Sequence, residues 1–147
     1  MKISTIGFTK TTAECFFAKL TEAGVRTVLD TRLRTGGQLS GFAKTPDLPY
    51  FLRAVASIDY RHVPELAPTK DLLTLYRAKD LSWDEYAAAY RRLLEERRPE
   101  RALDVALLDR ACLLCSEHTA DHCHRRVAAE YLREVLGPGL AVEIVHL

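Results

Sequence analysis

Along the chain, short β-rich runs alternate with stretches in which apolar residues recur at helical spacing. The β-rich runs are Lys2–Gly7, Val25–Asp30, Ile58–Val63, Ala111–Cys115 and Val142–His146. Only Ala111-Cys112-Leu113-Leu114-Cys115 is apolar throughout, as strands covered on both faces of a parallel sheet tend to be. Helix signals fill the gaps. Thr11-Thr12-Ala13-Glu14 reads as a capping box, with a threonine oxygen and a glutamate satisfying orphan amides. The helix it opens carries Cys15, Phe16, Lys19 and Leu20 and stops at Gly24. Asp47 is placed to cap a helix whose Leu48, Phe51, Leu52 and Val55 fall at i, i+3, i+4 and i+7. Thr69 opens a helix through Leu72, Leu75 and Tyr76. Ser82-Trp83-Asp84-Glu85 is a second capping box, ahead of Tyr86, Tyr90, Leu93 and Leu94. Pro99 suits the first turn of a helix carrying Leu103, Ala106 and Leu107. Asp121 caps the last helix, with Ala128, Tyr131, Leu132 and Val135 on one face and Gly137-Pro138-Gly139 closing it. Five strands separated by helices predict one α/β domain over residues 1–147, in three layers, with a mainly parallel five-stranded sheet flanked by helices. Strand order is not encoded in this pattern.

Composition changes this picture little. Of 147 residues, 48% are apolar and 28% charged, which is ordinary for a soluble globular domain. No apolar run approaches the roughly 20 residues of a membrane helix. The opening MKISTIGF runs directly into the first strand, without the apolar region of a signal peptide. Four cysteines in a chain of this length do not make a secreted disulfide framework. A cytoplasmic protein with free thiols and no membrane partner is therefore expected. The net charge of +1 excludes a histone-like binder but hides a cancellation. Residues 1–63 carry nine basic and five acidic side chains, and residues 64–147 twelve and fifteen. The basic excess lies in the first half.

Ligands of parallel α/β sheets sit beyond the carboxyl ends of the strands. That rule selects Gly7–Lys10, Asp30–Gly37, Val63–Pro68 and Cys115–Arg125. The last is densest, with two cysteines, three histidines and a glutamate between Cys115 and His124. Cys115 ends the apolar strand and faces the crevice. Cys123 and His124 fall in the first turn of the following helix, where free amides favour anions and lower a thiol pKa. Cys123 is thus a candidate thiolate. Arg125 supplies a charge that forks onto phosphate or carboxylate, and Glu117 a general acid or base. Cys15 and Cys112 read as packing residues. In the second loop, Asp30 and Arg32 place an acid and a guanidinium at a strand end, a pairing suited to phosphate binding.

Spacing excludes several chemistries. A cysteine-phosphatase or rhodanese-like loop needs an arginine about six residues after its nucleophile, and position 121 is Asp. His62-Val63-Pro64-Glu65 has one residue too many for a nucleobase deaminase, and no proline precedes Cys112. Neither GxGxxG nor a Walker loop is present. Cys112-Leu113-Leu114-Cys115 lies in a strand, where residues three apart point to opposite faces, so it makes no zinc knuckle. No standard ligand pattern is complete. No metal is assigned and no cofactor identified.

Thr5-Ile6-Gly7, Asp30-x-Arg32, Tyr60 with Pro64-Glu65-Leu66, and above all Leu114-Cys115-x-Glu117…Cys123-His124-Arg125 resemble the family catalogued as domain of unknown function 488. The likeness runs nearly end to end, to Val145-His146. Phe8 departs from it, standing where that family usually has Thr-Ile-Gly-His. So do Arg34–Gly37, in place of the usual proline and serine, and Ala67-Pro68, in place of paired glycines. The family is functionally uncharacterised, so the resemblance implies which residues form the site and supplies no reaction.

Together these features predict a small enzyme acting on an anionic, phosphate-bearing substrate such as a nucleotide or nucleic-acid component. Cys115 or Cys123 is its thiol, Glu117 and His124 its proton-transfer groups, and Asp30, Arg32 and Arg125 its substrate-binding residues. One alternative is a non-enzymatic nucleotide- or nucleic-acid-binding module using the basic first half, with salt-sensitive binding. Another is a metal-binding or redox protein built on the Cys115–His124 cluster.

Overall fold

A computed structural model describes residues 1–37 and 40–147. Gln38 and Leu39, within the expected Thr31–Thr45 loop, lie outside the described residues. The strands are β1 (Lys2–Gly7), β2 (Thr27–Asp30), β3 (Asp59–His62), β4 (Ala111–Cys115) and β5 (Glu143–His146). They form one sheet in the order β3-β2-β4-β1-β5, parallel at every pairing. The wholly apolar strand takes the centre. The edge strands, DYRH and EIVH, keep polar residues where the sheet meets water.

Side-chain alternation divides the core. Ile3, Leu29, Ala111 and Leu113 face one way, onto Tyr90, Leu94, Ala128 and Leu132 of α4 (Trp83–Arg97) and α6 (His124–Leu136). Ile6, Val28, Cys112 and Leu114 face the other, onto Phe16, Leu20, Leu48 and Leu52 of α1 (Ala13–Glu22) and α2 (Asp47–Ala56). Two helical layers around one sheet make the expected three-layer α/β arrangement. Among the described residues, no helix is long and apolar enough to cross a membrane.

Several helix starts differ from the sequence reading. The Ser82–Glu85 capping box forms with both reciprocal bonds. The first box does not: Thr12 is the cap and accepts from the Cys15 amide, so Glu14 falls one position too early to reach back. The N-cap of α2 is Pro46, which leaves Asp47 inside the first turn, where its charge still meets the helix dipole. The N-cap of α6 is Cys123, because the chain after Asp121 is still turning. Pro99 opens a single 3-10 turn, and a separate short helix, α5 (Val105–Leu108), is capped by Asp104. The apolar stripe of α2 is narrower than its spacing suggests, since Val55 is 63% exposed. The helix after Thr69, α3 (Lys70–Arg77), fully buries none of its side chains, and only partly covers Leu72 against the core. Cys15, expected to pack, is exposed, whereas Cys112 is buried.

Sheet order also positions the crevice. β1 and β4 are neighbours, yet α1 leaves β1 for one face and α6 leaves β4 for the other. The loops beyond them diverge, as at the switch points where α/β sheets bind ligands.

Candidate functional site

Cys115 ends β4 on the face occupied by Leu113, and strand alternation turns it toward α4 and α6. The loop beyond it, Ser116–His122, is fastened at several points. Thr9 donates to the Ser116 carbonyl through both its amide and its hydroxyl, at 3.2 and 2.8 Å. Nδ1 of His118 pairs with the Thr9 carbonyl at 3.0 Å. Arg125 reaches back from α6 and donates to the carbonyls of Glu117 and His118, to Thr5 Oγ1 and to Cys123 Sγ. Gly7 lies level with Cys115 in the sheet, and a Cβ there would stand 1.6 Å from the Glu117 carbonyl oxygen. Only glycine lets the loop come this close.

His124 opens α6, and its ring is 7% exposed. Nε2 lies 3.1 Å from the Thr31 carbonyl and 3.1 Å from Thr31 Oγ1, whose own proton goes to the Leu114 carbonyl. A carbonyl only accepts, so Nε2 carries the hydrogen. In the neutral ring that leaves Nδ1 as an acceptor, 3.6 Å from Cys115 Sγ. The ring is thereby held in the tautomer that takes a proton from the thiol.

The two crevice sulfurs influence each other's ionisation. A hydrogen bond from Cys123 holds the Cys115 thiol well below its ordinary range. Burial opposes this, but the His124 charge and the Glu117 amide add to the lowering. Cys123 moves the other way, raised by its bond to Cys115, by burial and by the charge on Cys115. Burial, the largest single influence, disfavours the His124 charge, but the charge and hydrogen bond of Cys115 and the bond to the Thr31 carbonyl together outweigh it, so His124 is raised. Of the two candidate thiols, these directions favour Cys115 as the anion, with Cys123 as its donor. The Arg125 charge and the Arg125 amide in the first turn of α6 favour the Cys123 anion, but they are smaller than the effects that raise it. On the far face, burial pushes Cys112 upward and leaves it an inert packing thiol.

Asp30 and Arg32 behave as a unit. Arg32 grips the fully buried Asp30 carboxylate through Nε at 2.8 Å and Nη2 at 2.6 Å, and the Tyr60 hydroxyl adds a bond at 2.8 Å. The Phe8 ring lies 5.0 Å beneath the guanidinium, a cation–π contact. Asp30 orients Arg32, which lines the crevice. Arg125 is 1% exposed, and its donors go to the loop carbonyls, Thr5 and Cys123. Glu117 is exposed at the crevice, and its main chain rather than its carboxylate makes the contacts to Cys115 and Arg125.

The crevice encloses about 440 Å³. Cys115, Cys123 and His124 lie on one side, with Arg32 and Arg34 on the β2 loop and Lys70 and Arg77 on α3. Tyr86 forms part of the wall and stacks on Tyr76 at 4.4 Å. Comparison with known families agrees with the motif reading. A family model described as Domain of unknown function DUF488 matches residues 12–132. The chain belongs to the DUF488 family. No curated protein and no solved structure matches it. Within this DUF488 chain the matched segment includes Asp30, Arg32, Cys115 and Cys123–Arg125, while Gly7 and Phe8 precede it. Thr31, Lys70 and Arg77 escape the sequence reading. The spacing of Lys70, Leu73, Thr74 and Arg77 at i, i+3, i+4 and i+7 is the signal that marks the α3 face.

The same cluster suits a metal. Cys115 Sγ, Cys123 Sγ and a His124 ring nitrogen lie within 4.8 Å of one another. Thiolate and imidazole donors are those of zinc sites, and three protein ligands with one open position are a catalytic arrangement.

Proposed function

We propose that this DUF488 chain is an enzyme that uses the Cys115 thiolate as a nucleophile on an anionic small molecule held in the crevice. One observation carries the reading: Cys115 faces Nδ1 of a histidine whose Nε2 is already committed to Thr31. Such a pair generates a thiolate and an imidazolium side by side, the usual means of activating a cysteine. Attack by Cys115 sulfur forms a bond to the electrophilic atom of the substrate and breaks the bond to the leaving group. His124 Nδ1 gives its proton to that group. Water then attacks the thiol-linked intermediate, returns a proton to His124, and releases the product and the thiolate. The cationic lining supports an anionic substrate by balancing charge within an enclosed volume. A panel of phosphorylated sugars, nucleotides and phosphodiesters, screened for turnover, tests the reading. Cys115→Ser is expected to lower any activity found by at least about 1000-fold. Turnover that survives this substitution removes the thiol from the chemistry.

A second reading, a zinc enzyme, is favoured by the convergence of the three donor atoms on one point. It expects one equivalent of zinc per chain by elemental analysis of protein purified without chelator, lost in Cys115→Ser and Cys123→Ser. Protein that carries no metal and takes up none on titration with zinc rules this reading out.

A further inference from the structure

We infer that α3 is the phosphate-recognition wall of the crevice, with Lys70 and Arg77, faced by Arg34, holding a phosphate group of a small-molecule ligand. The inference takes the crevice of the proposed enzyme as its setting and is independent of what Cys115 does there. α3 is unusual among the helices of this fold. A surface helix normally turns an apolar stripe to the core, yet α3 fully buries none of its side chains: Leu72 is partly buried against the core and Tyr76 stacks on Tyr86 of α4. The face it turns to the crevice is Lys70, Leu73, Thr74, Tyr76 and Arg77, with a cation at each end.

The lining of the crevice points the same way. Among the described residues, Lys70, Arg77 and Arg34 have no carboxylate within ion-pair distance, as holds for most basic side chains here. What sets them apart is that they converge on one cavity, in whose described lining Glu117 is the single carboxylate. Three cations facing one crevice repel each other until an anion arrives. The chemistry of the donors selects phosphate. Arginine forks onto two oxygens of one group and lysine adds a point charge, while the Thr74 hydroxyl donates to the Lys70 carbonyl. The volume selects a small molecule. About 440 Å³ falls in the range of roughly 300–1,000 Å³ typical of ligand pockets, whereas a nucleic-acid strand needs an open basic groove.

Calorimetric titration of the full chain with inorganic phosphate, pyrophosphate and ADP tests the assignment, with Lys70→Ala, Arg77→Ala and their combination as variants. All three positions of the cationic cluster are exposed, so these chains are expected to fold. A charge-matched control, Lys19→Ala with Arg92→Ala, lowers net charge equally away from the crevice. Each α3 substitution is expected to weaken pyrophosphate binding by about tenfold, the value of one charge-assisted contact, and the control to leave it unchanged. Cys115→Ser should bind like the unsubstituted chain, so failure of the thiol mechanism leaves this assignment standing. Three results overturn it: no binding of any of the three probes at millimolar concentration, equal binding by the doubly substituted α3 chain, or equal loss in the control. An oligonucleotide that binds far more tightly than ADP and competes for the same α3 cations overturns it too, in favour of a nucleic-acid site.

Discussion

In a Cys15→Ala background, iodoacetamide is expected to alkylate Cys115 at a rate that stays level from mildly alkaline pH down through neutrality. A free thiol, with a pKa near about 8.5, loses close to tenfold in rate for each pH unit below that value. Cys115 departs from this because three groups support its anion: the Cys123 thiol, the His124 imidazolium and the Glu117 amide. The sign follows directly. A lowered pKa keeps the thiolate at neutral pH, and the rate falls only when acid protonates the pair. Intrinsic nucleophilicity also declines as a thiol pKa falls, so the plateau is lower than that of a fully ionised ordinary thiol. His124→Gln removes the imidazolium, and Cys123→Ala removes the hydrogen bond that is the largest support. Each should move the rate profile to higher pH and reduce labelling at pH 6 by at least about tenfold. Circular dichroism separates this effect from loss of fold, and Cys123→Ser, which keeps a donor, should restore most of the rate. An unsubstituted chain with the profile of a free thiol, or one indifferent to both substitutions, dismantles the ion pair and the mechanism built on it.

The same residues show how far sequence reasoning reaches. Layering is legible because Ile3, Ile6, Val28, Leu29 and the ACLLC strand are apolar in the alternation a doubly covered sheet needs. The Cys115–Arg125 loop is legible because its reactive groups are local to one segment. What stays hidden depends on contacts between distant segments. The need for glycine at position 7 follows from β1 lying beside β4, which is a fact of strand order. The direction of Arg125 depends on which carbonyls the loop presents to it, and a guanidinium reads as an anion clamp until those partners are known. Cys123 looks activated by a helix start when considered alone, but beside Cys115 it is the donor and Cys115 the acceptor. On α3 the apolar pattern holds in part. Leu72 packs against the core and Tyr76 stacks on Tyr86, but Leu75 is 44% exposed, and the cationic positions at the crevice are not signalled by the leucines.

Gly7→Ala should be among the most damaging single changes in this chain, although it adds one methyl group. The new Cβ would lie 1.6 Å from the Glu117 carbonyl oxygen and 2.6 Å from its carbon. Both are main-chain atoms, so no side-chain rotation relieves the clash. The loop must retreat by more than about 1 Å to reach van der Waals distance. Arg125 Nη1 is the third neighbour, at 3.0 Å, and it donates to that same carbonyl. Retreat therefore strips Arg125 of its Glu117 and His118 partners while its side chain remains buried. Two charge-assisted bonds at roughly 1.5–3 kcal/mol each place the loss near 3–5 kcal/mol, a large share of the stability of a domain this size. The Glu117 amide moves away from Cys115 as well, so any chain that still folds should show its alkylation profile shifted to higher pH. Denaturant melts of Gly7→Ala, Arg125→Met and the double variant measure the coupling. Because each single change breaks the same grip, the double variant should fall well short of the sum. Additive losses, or a Gly7→Ala chain within about 1 kcal/mol of the unsubstituted one, mean that the loop rests on something other than its close passage over β1.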